Sequence, residues 1–309
     1  MKQTKRKIVW FVAFLGISSI QVFGKPFAKG PYLGQTPPGS TAQVFAPGLI
    51  CHTGTGPHQW EAHGSFSADG NTFCFQRVSG IFITENTNQG WTAPELIRSI
   101  PANMWSPWSP CLSPDANSIF FTRALNPVFK RNLYRCNRTA RGWAKPQKLG
   151  PPLSSSFKEI TCTLAANNNI YFTSSRKNNG RSNMWVAPFV GNTWPRVINL
   201  SVDAKVGGGG HPGIAPDESF MVFSSVRLGG LGDSDLFLTL RRPDGTWSKP
   251  RNLGPRINSA YIEHGPRISP DKKYLFFNRS NGWDPRIYSV DSDIYCVELK
   301  EYLAEFKTR

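Results

Sequence analysis

The segment ISPDKKYLFFNR, residues 268–279, joins a turn to an apolar strand-like run and ends in an arginine. Ser-Pro-Asp is turn chemistry, and the aromatic run that follows it is typical of a buried strand. The chain contains this unit five times, as FSADGNTFCFQR (66–77), LSPDANSIFFTR (112–123), TLAANNNIYFTSSR (163–176), IAPDESFMVFSSVR (214–227) and ISPDKKYLFFNR. The turns begin at residues 67, 113, 164, 215 and 269, so the spacings are 46, 51, 51 and 54 residues.

Two further motifs keep this period. A small polar, apolar and aromatic motif follows each copy, as SGIF, RNLY, SNMW, SDLF and SDIY. A motif with Trp and Pro follows the first four, as GWTAPELI, GWAKPQKLG, NTWPRVINL and DGTWSKPRNLG. Each repeat therefore predicts four antiparallel strands, A to D, with the proline-bearing D strand at the edge. Repeats of this length predict a propeller, and we expect the tryptophans to fill the space between blades.

The fifth copy lacks its D strand, because the chain ends with CVELKEYLAEFKTR. An unassigned strand-like segment, TAQVFAPGLI (41–50), lies near the other end of the chain and could close the ring, which would remove its free edges. We predict an all-β fold, a single β-propeller of five four-stranded blades closed by residues 41–50; six blades would require a degenerate repeat. The predicted domains are a signal peptide (1–24), a linker (25–40), the propeller (41–300) and a C-terminal tail (301–309).

Three segments, SPDKKYLFFNR, GGLGDSDLFLTLRRPDGTWSKPRNLGPRINS and SDIYCVEL, resemble the WD-like repeats of TolB-type propeller proteins. The resemblance covers about residues 40–299 and implies a propeller in an exported bacterial protein. It transfers no site residues, because TolB itself usually has six blades and its partner contacts have no counterpart here. The third repeat departs from the pattern, with LAANNN where Ser-Pro-Asp-Gly is expected.

The first residues predict export. A basic head, MKQTKRK, precedes the apolar run IVWFVAFLGISSIQVFG, which is the pattern of a signal peptide cleaved near residue 24. We expect a periplasmic or extracellular protein that touches a membrane only through an uncleaved leader. Loss of the leader removes four of the positive charges from a formal net charge of +16 and leaves +12. An exported basic monomer suits an anionic glycan, an envelope component or a protein partner, and we expect no nucleic acid.

The candidate site is the mouth of the central channel, because the D–A and B–C loops share one face. Six ionisable residues precede or begin the A strands: Glu61, His63, Glu159, His211, Glu263 and His264. An arginine follows every B strand: Arg77, Arg123, Arg176, Arg227 and Arg279. We include all eleven in the predicted ligand-binding mouth, although a residue repeated in every blade favours a structural role, with turn aspartates or loop carbonyls as partners. The non-repeating histidines and Glu159 are the better functional candidates.

These residues predict a non-catalytic exported binding propeller that recognises a glycan, a cell-envelope component or a protein partner. The alternative is a carbohydrate-active enzyme, a lyase or hydrolase of an acidic polysaccharide, in which Glu61, Glu159 and Glu263 converge. Three histidines near one axis could also bind a divalent metal. They come from different repeats, so no local spacing supports such a site, and we predict neither a metal nor another cofactor. The six cysteines form no CxxC pair and lie in strand-like runs, which favours buried thiols.

Overall fold

Each repeat folds as one antiparallel blade, and five blades form a closed ring, which confirms the predicted all-β propeller and its blade count. The computed structural model describes residues 27–52, 60–102, 107–124, 130–176, 182–200, 209–226, 228–282 and 291–307. The predicted signal peptide and Arg227 lie outside these residues. In this part of the chain, no helix is long and apolar enough to cross a membrane.

The first three blades follow the chain from the inner strand outwards. Blade 1 contains β2 (Glu61–Phe66), β3 (Thr72–Arg77), β4 (Gly80–Thr87), β5 (Gly90–Trp91) and β6 (Glu95–Leu96). Blade 2 contains β7 (Trp108–Leu112), β8 (Ser118–Ala124), β9 (Arg131–Thr139), β10 (Gly142–Trp143) and β11 (Gln147–Lys148). Blade 3 contains β12 (Glu159–Leu164), β13 (Ile170–Ser174), β14 (Asn183–Ala187) and β15 (Ile198–Asn199). In blades 1 and 2 the D strand is split into two short pieces that both pair with the C strand.

The last two blades complete the ring. Blade 4 contains β16 (Gly210–Ile214), β17 (Phe220–Ser225), β18 (Asp235–Leu240) and β19 (Arg251–Asn252). Blade 5 contains β20 (Ile262–Ile268), β21 (Tyr274–Ser280), β22 (Ser292–Glu298) and, from the other end of the chain, β1 (Gln43–Val44). Gln43 pairs with Cys296 and Val44 with Tyr295 in antiparallel register, so segment 41–50 closes the ring as predicted. A 3-10 turn (Pro31–Gly34) precedes β1, and helix α1 (Lys300–Lys307) follows β22.

The apolar core lies between neighbouring blades as five separate clusters. A tryptophan from each D motif packs against the preceding blade, as predicted, at Trp91, Trp143, Trp194 and Trp247. Among the described residues, blade 5 has no such tryptophan. Its interface with blade 4 is sealed instead by α1, which buries Tyr302 and packs Leu303 and Phe306 against the same cluster. A helix therefore supplies, after the last blade, the aromatic cover that the D motif supplies elsewhere.

The repeated turn is held by its own side chains. In blade 5, Ser269 Oγ donates to Asp271 Oδ1 at 2.7 Å and accepts from the backbone N–H of Tyr274 at 2.9 Å. The same pattern joins Ser67 to Asp69 and Ser113 to Asp115. These hydrogen bonds lower the pKa of Asp69 and Asp115. The turn aspartates are thus satisfied within the turn, at the end of the blade opposite the channel mouth.

Candidate functional site

Every inner strand carries a bulge close to the propeller axis. Four blades place a residue of positive φ at the same position of this bulge, namely His63 (55°), Ser109 (55°), His211 (52°) and Gly265 (61°). A β-bulge re-aims side chains and is common beside functional sites, and histidine is among the residues that tolerate the left-handed region. The bulge therefore turns two histidines from the face of the strand into the channel.

Neighbouring blades clamp these bulges. The backbone N–H of His63 donates to Asn278 Oδ1 of blade 5 at 2.9 Å, and that of Ser109 donates to Gln76 Oε1 of blade 1 at 3.0 Å. The N–H of His211 donates to Thr173 Oγ1 of blade 3 at 2.8 Å. A bulge frees a backbone donor from the ladder, and an unpaired buried donor is costly. The side chain of the preceding blade satisfies it and fixes the position of the residue at the axis.

The three predicted histidines converge at this axis. Their ring centroids lie 5.5 Å apart for His63 and His264, 5.5 Å for His211 and His264, and 6.2 Å for His63 and His211. The rings come from blades 1, 4 and 5. His63 also packs edge-on against the Trp108 indole at 5.0 Å, which Arg131 covers from 4.9 Å. Residues separated by up to about 200 positions in the chain therefore form one buried imidazole cluster.

The histidines are neutral at physiological pH. Burial lowers the pKa of His63 and His211 well below its usual range, and the nearby charges of Arg267 and Arg131 act in the same direction. Burial and then Arg267 lower the pKa of His264 to about 4. A neutral imidazole has one nitrogen with a free lone pair, so each ring can accept a proton, accept a hydrogen bond or bind a metal.

Gly265 leaves room for the cluster. A Cβ atom built on it would lie 2.6 Å from Nδ1 of His63, and its φ of +61° already disfavours a side chain. We expect Gly265→Ala to lower the free energy of unfolding by about 1–3 kcal/mol, from backbone strain and the clash together. Gly245→Ala is the matched control, because Gly245 has a φ of +81° and nothing within 4 Å of its built Cβ.

Urea unfolding of both glycine variants separates the two causes. The strain of a side chain at positive φ is common to both positions. The additional loss of unfolding free energy in Gly265→Ala, relative to Gly245→Ala, therefore measures mainly the contact with the His63 ring. In a His63→Ala background most of that additional loss should disappear, and the remainder would report the contact of the new Cβ with Asn278 Oδ1 at 3.2 Å. Equal losses at Gly265 and Gly245 would show that the imidazole does not need the missing Cβ.

Arg267 crosses the channel beneath the histidines. From β20 its Nη2 donates to Ser109 Oγ of blade 2 at 2.8 Å and to the carbonyl of Cys162 of blade 3 at 3.2 Å. It is only 5% exposed, its Nε has no partner, and no carboxylate among the described residues pairs with it. On the side of the repeated turns it borders a cavity of about 80 Å³. The channel therefore contains a buried positive charge that no carboxylate of the described residues neutralises.

The three predicted glutamates serve a different purpose. Each is almost fully buried and forms an ion pair with the arginine after its own B strand, as Arg77–Glu61 (3.3 Å), Arg176–Glu159 (3.0 Å) and Arg279–Glu263 (2.7 Å). The same guanidinium groups donate to loop carbonyls of Ile50, Pro152, Leu153 and Ile257. These pairs join the entry of the A strand to the exit of the B strand. The three ion pairs therefore stabilise their own blades, and the glutamates do not converge on the axis.

For Arg77, Arg176 and Arg279 the expected loop carbonyls are confirmed, whereas the expected pairing with turn aspartates is wrong. The aspartate lies at the start of the B strand and the arginine at its end, which places them about 20 Å apart along a six-residue strand. Arg123 is half-buried at the end of β8 near the Tyr134 hydroxyl, and no carboxylate in the described part of the chain pairs with it.

A second group of titratable residues lies where blade 5 meets blade 1. Ligand atoms of Cys51, Glu61 and Asp293 lie within 4.8 Å of one another, and His52 Nδ1 contacts Glu61. Burial, with the charges of Asp291 and Glu61, raises the pKa of Asp293 to about 6. Burial likewise raises the pKa of the Cys51 thiol well above its usual value. All six cysteines are free and buried.

Sequence reasoning missed Arg267, although a signal for it exists. Two residues before each turn the repeats have Ser65, Cys111, Cys162, Gly213 and Arg267. Four are small because the inner strands crowd the axis there, and the fifth is the longest cationic side chain. A comparison of this column across the repeats would have identified it. Trp108 could be found in the same way, five residues before the second turn.

Fold and site together define a five-bladed propeller whose axis carries three neutral imidazoles above a buried guanidinium. No family model and no curated protein matches the chain. Among solved structures, xylan β-1,4-xylosidase from Bacillus halodurans C-125 is similar with a TM-score of 0.53 and 12% identity, over 80% of this chain and 54% of that one. This likeness extends to the fold alone.

Two TolB structures are similar as well. TolB from Acinetobacter baumannii has a TM-score of 0.49 and 12% identity, over 77% of this chain and 54% of that one. The putative TolB from Agrobacterium tumefaciens has a TM-score of 0.47 and 14% identity, over 77% of this chain and 90% of that one. The chain thus spans about half the length of the Acinetobacter protein and of the xylosidase. The similarity to TolB propellers that the motifs suggested is present at the level of structure, at low identity.

Proposed function

We propose that this protein is an exported, non-catalytic binding propeller that takes an acidic group of a glycan into the mouth of its channel. The observation that carries the proposal is the buried guanidinium of Arg267, which no described carboxylate neutralises. A buried charge without a counter-ion is costly, and a carboxylate or sulfate from outside would supply one. The neutral imidazoles above it offer hydrogen bonds without opposing charge.

The other charged residues around the channel also favour the binding of an anion. The glutamates near the mouth are already paired with Arg77, Arg176 and Arg279, so their charges do not repel an acidic ligand. Arg131, 6% exposed, adds a second guanidinium beside Trp108. Positive charge in a concave, low-dielectric site attracts anions and concentrates them. Trp60 and Trp108 stack at 5.2 Å and supply an aromatic surface near the same entrance.

The test is calorimetric titration with oligosaccharides that differ only in a carboxylate, for example a hexuronate oligomer against its neutral hexose counterpart. We expect the acidic oligomer to bind more tightly, and its affinity to fall as salt rises, because screening weakens the attraction. Arg267→Met keeps the length of the side chain and removes its charge. It should reduce affinity by roughly tenfold or more, since a charge-assisted hydrogen bond contributes about 1.5–3 kcal/mol.

Arg256→Met is the matched control. Arg256 is exposed and paired with Glu301 outside the channel, so its loss changes net charge equally. This variant should bind the acidic oligomer as the unmodified protein does. Equal affinity for the neutral and acidic oligomers, or an Arg267→Met variant that binds normally, would refute the proposal.

The alternative is a carbohydrate-active enzyme, and one observation favours it. Asp293 has a pKa raised to about 6 and lies beside Glu61, and a carboxyl group tuned towards neutrality is suited to general acid catalysis. Against it, Glu61 is buried and paired with Arg77, as Glu159 is with Arg176. A turnover assay on the same acidic oligomers, with Asp293→Asn as the inactive variant, distinguishes the two. Turnover that Asp293→Asn abolishes would establish the enzyme.

A further inference from the structure

We propose that His63, His211 and His264 together bind one divalent transition-metal ion on the propeller axis. Imidazole nitrogen suits zinc and its neighbours in the first transition series, and three histidines with an open fourth position form a common zinc site. The proposal stands independently of the acidic glycan, because it concerns the metal alone. It replaces the expectation of no metal, which was based on the lack of a local ligand spacing.

The positions of the rings suit a shared ion. Two imidazoles bound tetrahedrally to one ion at about 2.0–2.1 Å have ring centres about 5 Å apart. Two of the three centroid separations are 5.5 Å and the third is 6.2 Å. One nitrogen from each ring does not yet lie within 4.8 Å of the other two, so rotation of the rings about χ2 and an approach of His63 to His211 would be needed to direct three nitrogens at one ion.

Four ring nitrogens of the cluster are buried and have no hydrogen-bond partner in the part of the chain that the structure describes. They are both nitrogens of His63, Nδ1 of His211 and Nδ1 of His264. Buried polar atoms are nearly always satisfied, and each exception in a native protein calls for an explanation such as an ion or water. Nε2 of His264 lies 3.3 Å from Ser280 Oγ. A second-sphere contact of this kind would orient the ring so that Nδ1 faces the ion.

The positive charge of Arg267 favours an anion as the fourth ligand of the metal ion. Arg267 lies close enough to all three histidines to lower their pKa, and it would also repel a dication. An anionic oxygen, either hydroxide or a carboxylate, offsets this repulsion as the fourth ligand. The site is therefore expected to bind its ion more tightly when such an anion is present.

The group of Cys51, Glu61 and Asp293 is the weaker metal candidate, although its ligand atoms lie within 4.8 Å of one another. Arg77 already neutralises Glu61. The raised pKa of Cys51 keeps its sulfur protonated, whereas a metal needs the thiolate. This group nevertheless provides the internal comparison for the experiment, because a metal bound there would carry sulfur and carboxylate ligands.

The experiment is equilibrium dialysis of the metal-stripped full chain against Zn²⁺ or Co²⁺, with elemental analysis and the visible spectrum of the Co²⁺ form. We expect one ion per chain and the absorption of four-coordinate Co²⁺ without a thiolate charge-transfer band. His63→Gln, His211→Gln and His264→Gln should each weaken binding by more than the roughly 10–100-fold that second-sphere changes cost. His52→Gln, at an exposed histidine outside the cluster, should bind normally.

Two results would overturn the proposal. One is a stripped wild-type chain that takes up no ion at micromolar metal. The other is uptake that survives in all three glutamine variants or that shows a thiolate band, which would place the ion at Cys51. Because the stoichiometry and the spectrum of the unmodified protein are decisive alone, a variant that fails to fold does not remove the test.

Discussion

Replacing Arg176 by methionine should lower the free energy of unfolding by about 3–5 kcal/mol, the cost of leaving one member of a buried ion pair without its partner. Glu159 is 0% exposed, and its Oε1 accepts from Arg176 Nη2 at 3.0 Å. The donors left beside this carboxylate would be the hydroxyl groups of Ser155 and Ser174 and the backbone N–H of Ser155, none of which carries a positive charge. Arg176 also donates to the carbonyls of Pro152 and Leu153, so its loss detaches the loop that enters blade 3.

Urea unfolding at neutral pH measures this effect, and Arg256→Met supplies the comparison. The Arg256–Glu301 pair is 39% and 56% exposed, so we expect a change of at most about 1 kcal/mol there. The double variant Glu159→Gln with Arg176→Met should lose less than the sum of the single changes, because the unpaired charge is then gone. A change of under 1 kcal/mol for Arg176→Met would show that the pair does not hold the blade together.

The fold could be predicted because each repeat satisfies its own local rules. In ISPDKKYLFFNR the turn serine and aspartate bond to each other and to the strand that follows, independently of the other blades. The tryptophan period then indicates how the blades pack. The role of α1 could not be found in this way, since nothing repeats after SDIY. Tyr302 fills a gap that exists only because blade 5 takes its outer strand from the N-terminal segment.

The site was predicted only in part, for a reason that Glu61 and His63 illustrate. Both lie on β2, two positions apart, and both are polar residues at the expected mouth. The bulge between Ala62 and Ser65 and the positive φ of His63 direct its ring to the axis, while Glu61 pairs with Arg77 within the blade. Neither a bulge nor the position of the next blade can be inferred from residue type. The structure was therefore needed to distinguish Glu61, which holds its own blade together, from His63, which lies at the channel axis.

The second large expected effect is a loss of folding stability at mildly acidic pH. Because the folded pKa of His63, His211 and His264 lies below the value of about 6.5 in an unfolded chain, the unfolded chain binds more protons between the two. Their contribution to stability is fully present above pH 6.5 and is lost as the pH falls. Each histidine that stays neutral in the folded chain lowers the free energy of unfolding by about 1.4 kcal/mol for every pH unit below 6.5. The three together would remove about 4 kcal/mol per unit, until His264 titrates near its folded pKa of about 4.

One carboxyl group opposes this trend. The folded pKa of Asp293, about 6, lies above that of an unfolded aspartate, so below pH 6 the folded protein gains stability from its protonation. The net loss between pH 6 and pH 5 is then closer to 3 kcal/mol. The turn aspartates do not affect this window, because their lowered pKa matters only below about pH 4.

Urea unfolding from pH 8 to pH 5, with EDTA present so that no metal contributes, should therefore show a plateau above pH 6.5 and a steep fall below it. His211→Gln should reduce the slope by about 1.4 kcal/mol per pH unit, because one of the three protonation sites is gone. Asp293→Asn should steepen the slope by the same amount, because the protonation of Asp293 in the folded chain then no longer offsets the loss. A stability that stays flat from pH 7 to pH 5 would mean that water reaches the imidazoles and protonates them in place. The imidazoles would then be charged in mild acid, and a protonated imidazole cannot bind a metal ion.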